Sequence, residues 1–289
     1  MDAMSSPEVT IAGLRAGDPV DAIFACSRKD RLTARSGSPY LALELRDRTG
    51  AIQARAFKDA DVLSGRFERG DLVRVAGRVE RFRDELQLEI RNIAKAEQAD
   101  PAAFLPVAYR NIEELEGFLE HLAREVHDAA YATLLQRLLA DETLRTQWRR
   151  APCTRQGHHA YLGGLLEHTV AVGTLALETA QLHPRLNPDL LLTAALVHDL
   201  GKTREFTYGA EIGLTDEGRL LGHIVLGQQL LDRYELPDDR RLALAHCVLT
   251  HHGPQNAPGG RFGSAEALAL YRLNALDASV KGALEHGLP

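Results

Sequence analysis

The sequence predicts a multidomain protein in which a five-stranded β-barrel is followed by an all-helical domain. Three observations support this. Apolar residues alternate with period two between about residues 20 and 90, and with period 3.6 from Asn111 onward. Between the two regimes lies a proline-bearing stretch, Ala96 to Pro106, that reads as a linker. At 289 residues the chain is long enough to bury two cores. We read residues 1–97 as the barrel, 98–157 as a linker and helical lead-in, and 158–289 as the principal helical domain.

The barrel strands are read in order. The first twenty residues, with Pro7, Gly13, Gly17 and Pro19, suggest loop. A first strand runs near Val20 to Arg28. Leu41, Leu43 and Leu45 mark the second, DRTG at residues 47–50 a turn, and Ile52, Ala54 and Ala56 the third. An irregular or helical patch covers Asp59 to Arg69. Val73, Val75 and Val79 mark the fourth strand, Arg83-Asp84 a tight connection, and Leu86, Leu88 and Ile90 the fifth. Five strands with the irregular patch between the third and fourth follow the order of an OB-fold barrel, and Gly77 suits a bend in a long strand.

Charge is unevenly spread. The whole chain carries −6, but residues 9–97 carry a net +3. On the barrel, Arg46, Arg55, Arg74, Arg78 and Arg83 could track phosphates, while Phe57, Phe82 and Tyr40 could stack bases. Ordinary solvated arginines and barrel-edge aromatics are the competing reading for each residue taken singly.

The helical region starts with a stripe of Ile112, Leu115, Phe118, Leu119, Leu122 and Val126, capped by Asn111. Leu134, Leu135, Leu138 and Leu139 form a second stripe, and a short helix is expected over Asp141 to Arg150. Beyond it, polar chemistry is set in apolar surroundings. LLTAALVHDLGK places His198 and Asp199 at the end of a buried helix, with Gly201 expected as its C-cap. His168 lies 30 residues before His198 in LLEHTV. His223 lies in LLGHIV, His251 and His252 in LTHHG, and Asp277 in LNALDAS. Buried carboxylates and imidazoles are costly unless partnered, and a divalent metal is the partner this residue set suggests. Upstream, HHAYLGG carries His158 and His159, candidates for a substrate phosphate or base. It also carries Gly163 and Gly164, which would let a ligand approach the backbone. His246, five residues before His251, falls on another helix face and is expected not to be a ligand. His121 and His127 lack acidic or histidine company and are read as surface residues.

Cys26, Cys153 and Cys247 are scattered and form no metal or disulfide pattern, which fits a reducing cytoplasm. MDAMSSPEVT has no signal-peptide pattern, and no stretch is apolar enough for a membrane span.

The order H…HD…H…HH…D resembles the HD-domain metal-dependent phosphohydrolases. The barrel resembles the tRNA-anticodon-type OB domains. Together the two resemble the YhaM-type 3′-5′ exoribonucleases over nearly the whole chain, through HHAYLGGLLEHT, LVHDLGK, LTDEGRLLGHIV, LTHHG and NALDAS. The resemblance implies hydrolysis of single-stranded RNA, with single-stranded DNA as an alternative, from the 3′ end to nucleoside 5′-monophosphates. It implies two divalent ions, Mn²⁺ being usual and iron or cobalt compatible with the same nitrogen and oxygen donors. Asp199 would bridge the ions. One would take His168, His198 and Asp277, and the other His223 and His251 with or without His252. Lys202 would stabilise charge on the reacting phosphorus. Gly164 stands where three-metal relatives carry glutamate, so two ions are expected. A homo-oligomer is compatible with this reading, and no membrane partner is expected. The competing reading is an HD nucleotide phosphohydrolase acting on a small nucleotide, its barrel serving oligomerisation. A third is a single-strand-binding protein whose helical domain no longer turns over, a reading that the complete ligand set opposes.

Overall fold

A computed structural model describes residues 9–34, 37–97, 99, 101–208 and 211–287. Residues 1–8 of the expected N-terminal loop and Gln98 and Asp100 of the expected linker lie outside them. The chain divides into two compact units. One comprises residues 1–106 with 208–213, the other 107–207 with 214–289.

In the first unit, strands β1 (Pro19–Thr33), β2 (Pro39–Asp47), β3 (Gly50–Ala56), β4 (Leu72–Phe82) and β5 (Glu85–Lys95) close a barrel in the order β1-β2-β3-β5-β4. All neighbours are antiparallel except β3 and β5. β1 is long enough to serve two neighbours: Pro19 to Ala25 pair with β4, and the part beyond Ala25 with β2. The inward set of period two forms the core, including Phe24, Leu41, Leu43, Leu45, Val73, Val75, Leu88 and Ile93. The patch after β3 forms a short helix, α1 (Ala60–Ser64), whose Ala60 and Leu63 join that core. The DRTG turn is held by the Asp47 carboxylate, which accepts from the Thr49 and Gly50 amides. Arg83 and Asp84 both have positive φ, as a two-residue hairpin of the primed type requires. Gly77 sits at a β-bulge, where a Cβ would lie 2.3 Å from the Glu89 carbonyl oxygen. The close approach of two strands, rather than an unusual φ, demands glycine there.

The second unit contains α2 (Ile112–Arg124), α3 (Ala129–Ala140), α4 (Glu142–Arg150), α5 (Gly164–Leu182), α6 (Pro188–Val197), α7 (Lys202–Glu205), α8 (Asp216–Leu231), α9 (Asp238–Thr250) and α10 (Ala265–His286). Asn111, Asp128, Asp141, Asn187, Thr215 and Ser264 cap helix N-termini with side-chain oxygens. Helices α2 to α4, expected as a lead-in, share one apolar core with α5, α6, α8, α9 and α10. At its centre α6 is buried without interruption from Leu190 to Val197.

The structure departs from sequence expectation at three places beyond residue 200. The stretch read as a loop from Glu211 to Arg219 instead holds β7 (Ile212–Leu214) and the first residues of α8. β7 pairs with β6 (Phe206–Tyr208). Gly201 is not a left-handed C-cap. Its φ is −61°, and it stands before α7. A Cβ there would lie 1.9 Å from the His223 carbonyl oxygen and 2.5 Å from the Gly227 amide nitrogen, so glycine lets the HD turn lie against α8. Finally, α8 breaks at Gly222, with φ 70° and ψ 164°, one residue before His223. Among the described residues no helix is long and apolar enough to cross a membrane.

Candidate metal centre

Four elements bring imidazoles to Asp199. His168 lies in the second turn of α5, His198 ends α6, His223 follows the break in α8, and His251 ends α9. His168, His198 and His251 are fully buried, and Asp199 is 1% exposed. The two carboxylate oxygens face different imidazoles. Oδ2 lies 3.5 Å from His168 Nε2 and 3.4 Å from His198 Nε2. Oδ1 lies 3.5 Å from His223 Nε2 and 3.3 Å from His251 Nε2. His252 joins the second group, its Nε2 3.1 Å from His223 Nε2.

The orientation of these rings is set from behind. His198 Nδ1 donates to the Ala195 carbonyl and His251 Nδ1 to the Val248 carbonyl, both three residues back in their own helices. A neutral ring so bound carries its lone pair on Nε2, aimed at Asp199. Glu205 accepts from the His223 amide and lies 3.3 Å from its Nδ1. Asp199 Oδ1 and His251 Nε2 are buried without a hydrogen-bond partner, close together but not aligned. Buried polar atoms are rarely left unpaired, so convergent, unpartnered lone pairs fit a divalent cation.

The electrostatics agree. Burial would raise the Asp199 carboxyl, but the Lys202 ammonium beside it overrides burial and holds it well below its ordinary range. Burial lowers His251 to about 4 and His252 to about 3, and it lowers His168 too. These imidazoles are therefore neutral at neutral pH and can offer lone pairs. Burial also pushes the Cys153 thiol up to about 12.

Some expected site residues stand elsewhere. Asp277 Oδ2 lies 2.6 Å from His168 Nδ1, the nitrogen turned away from Asp199, and 3.0 Å from His159 Nε2. It supports His168 from behind. Asn274 Oδ1 instead reaches His168 Nε2 at 3.0 Å, on the side of His198 and Asp199. Asn274 was not anticipated, although its position three residues before Asp277 puts both on one face of α10. Lys202, expected at the reacting phosphorus, is 5% exposed, and its Nζ donates to Asp199 Oδ2 at 2.7 Å and to Cys153 Sγ at 3.3 Å. It is a positioning residue for Asp199. His159, expected at a substrate, is 1% exposed. Its Nδ1 meets the Tyr161 hydroxyl, which donates to Glu167, and Glu167 also accepts from Lys281. His158 is half-buried, with Nδ1 lacking a partner. The space beside Gly163 and Gly164 is not open to a ligand. A Cβ on Gly163 would meet Ile112 at 2.4 Å, and one on Gly164 the His159 carbonyl at 2.2 Å. His246 accepts from the Gly263 amide, outside the cluster, while His121 and His127 are exposed.

On the barrel, Tyr40 and Phe57 stack with ring centroids 5.5 Å apart. The Arg55 guanidinium lies 5.8 Å from the Tyr40 ring and 5.3 Å from the Phe82 ring. Phe57 is 49% and Phe82 47% exposed, so both offer ring surface to solvent. Arg74 and Arg78 are otherwise engaged. Arg74 pairs with Asp21, and Arg78 donates to the Gly17 carbonyl. Arg46 is exposed, six residues along β2 from Tyr40.

Comparison with known proteins agrees with both halves. The HD domain family matches residues 165–279, and the OB-fold nucleic acid binding domain family matches residues 26–96. The chain is 27% identical over 286 residues to the 3′-5′ exoribonuclease YhaM of Listeria monocytogenes serotype 4b (strain F2365), covering 94% of this chain and 89% of that protein. It is 28% identical over 246 residues to the 3′-5′ exoribonuclease YhaM of Bacillus subtilis (strain 168), covering 82% and 77%. The chain thus carries an OB-fold domain ahead of an HD domain whose histidines converge on Asp199, and over nearly its whole length it is similar to proteins named 3′-5′ exoribonuclease YhaM.

Proposed function

We propose that this protein is a metal-dependent 3′-5′ exoribonuclease that hydrolyses single-stranded RNA to nucleoside 5′-monophosphates, with single-stranded DNA as a second substrate. The observation that carries the reading is the division of Asp199, whose two oxygens face two separate groups of imidazoles. His168 and His198 would hold one divalent ion, and His223, His251 and His252 the other. Bound there, two ions of the Mn²⁺ type supply Lewis-acid stabilisation of phosphoryl oxygens and a water of lowered pKa.

The chain's own residues do the rest. Lys202 fixes the Asp199 carboxylate and balances its buried charge. Asp277, Glu205 and the Ala195 and Val248 carbonyls orient the rings. His223 and His252 are the more exposed members of the cluster, so substrate would approach from their side. Tyr40, Phe57 and Phe82, with Arg55 among them, would stack the bases of an incoming strand without regard to sequence.

The deciding experiment follows a 5′-labelled single-stranded RNA with Mn²⁺. Stepwise shortening from the 3′ end, release of 5′-monophosphates and arrest by EDTA are expected. Turnover of mononucleotides or cyclic dinucleotides alone would instead favour the small-nucleotide phosphohydrolase.

A further inference from the structure

The two halves of the centre differ in their donors. The group facing Asp199 Oδ1 has three imidazoles, those of His223, His251 and His252. The group facing Oδ2 has His168 and His198, with the Asn274 carboxamide oxygen 3.0 Å from His168 Nε2, and the side chains of His158 and Cys153 lie beside His168. Asn274 is 5% exposed, and its amide nitrogen donates to the His251 carbonyl at 3.2 Å. That bond settles which end of the carboxamide is which, leaving the oxygen on the imidazole side. The carboxylate that could have served there, Asp277, lies instead on the outer nitrogen of His168. Lys202 adds a second asymmetry. Its ammonium is 2.7 Å from Oδ2, the oxygen facing His168 and His198. A cation at that position would therefore meet a neutral amide and a nearby positive charge, and would share its carboxylate oxygen with that ammonium.

Resting on the dinuclear reading above, we infer that the two metal positions are unequal. The His223–His251–His252 position holds its ion tightly, and the His168–His198–Asn274 position holds its ion weakly and exchangeably. A cation beside Oδ2 competes with the Lys202 ammonium for that oxygen, whereas Oδ1 has no such competitor, and loss of an outer partner such as Asp277 weakens binding without removing a donor. Asn274 is thus a ligand-position residue that sets the loading of the second ion, while Asp277 is a positioning residue.

The test is an equilibrium titration of the metal-stripped full-length protein with Mn²⁺, with free ion read by electron paramagnetic resonance and bound ion by elemental analysis. Wild type should bind two ions in two classes separated by at least about tenfold in Kd. Asn274→Asp should tighten the weak class by about tenfold or more and leave the tight class unmoved. Asn274→Leu should bind a single ion, with its helical circular dichroism retained. Asp277→Asn should still bind two ions, the weak class weaker by about 10–100-fold. Two equal classes in wild type would overturn the inference and leave the dinuclear reading standing. So would loss of the second ion in Asp277→Asn with none lost in Asn274→Leu. Binding of no Mn²⁺ by any form would overturn both.

Discussion

The barrel and the helical unit handle polar chemistry in opposite ways. On the barrel, the aromatic and cationic groups lie on the outer face of a sheet whose apolar core is separate and complete. In the helical unit, the centre of the polar cluster is itself buried, and His168, His198, His223 and His251 each have a second group behind the ring. Surface groups act nearly independently, whereas members of a buried network share partners and do not. Changes on the barrel should therefore give graded and additive losses of binding. Changes in the helical unit should give large, coupled losses of activity, metal and stability together.

The sharpest break in the comparison is Asp199→Asn. Removing the shared carboxylate charge should lower RNA hydrolysis by at least about 1,000-fold, since several kcal/mol of transition-state stabilisation depends on it. Elemental analysis should find bound metal falling with it. An active variant carrying two ions would sink the central role of Asp199.

Next is packing. Gly201→Ala places a methyl 1.9 Å from the His223 carbonyl, and backbone must move. Urea unfolding should show the helical unit destabilised by about 1–3 kcal/mol. Gly117→Ala is the control. It lies in α2 with nothing within 4 Å, and should be neutral or stabilising. Equal behaviour of the two would mean that the turn after Asp199 relaxes freely.

A third expectation separates the units by pH. Burial lowers His158 and His251 to about 4, against an ordinary value near 6.5. Between those values the unfolded chain binds more protons than the folded one. Stability of the metal-free protein is then fully present above about pH 6.5 and is lost as pH falls toward 4. Asp199, held low in the folded state, acts in the same direction at still lower pH. Thermal unfolding of EDTA-treated protein from pH 7.5 to 4.5 should show a falling Tm for the helical unit. A flat profile would argue that the imidazoles are not desolvated.

The smallest effects belong to the barrel. Phe57→Ala and Phe82→Ala should each weaken long-RNA binding by about 1–3 kcal/mol per base unstacked, with little change in the rate on a dinucleotide. Arg55→Ala should flatten the salt dependence of binding. Arg74→Ala should barely alter either, because that side chain is already paired with Asp21. Equal loss on long and short substrates in the aromatic variants would assign the barrel a role other than holding RNA.

Much of this was legible in the chain. Period-two alternation located all five strands, and the DRTG and Arg83-Asp84 turns were readable because turn chemistry is local. The histidines now found at Asp199 stood out because each is set in apolar residues at helical spacing. Less was legible near the ligands. The break at Gly222 and the β6–β7 pairing leave no periodic signal in three-residue segments. Gly163, Gly164 and Gly201 could have stood for ligand access or helix capping. In each case the reason is the chain's own backbone or side chain packed against them.

The sequence by itself determined the order of the two units, the core-facing residues and the pool of nitrogen and oxygen donors. All of these follow from local periodicity and residue type. Only the tertiary structure decided which atom of each donor faces the centre. Asn274 and Asp277 share one helix face, three residues apart, and nothing local ranks them. The packing of α10 against α5 decides it, putting Asn274 on the inner nitrogen of His168 and Asp277 on the outer one. Lys202 is a similar case. A lysine after a helix end would ordinarily reach solvent, but α6 is buried, so the ammonium folds onto the buried carboxylate of Asp199.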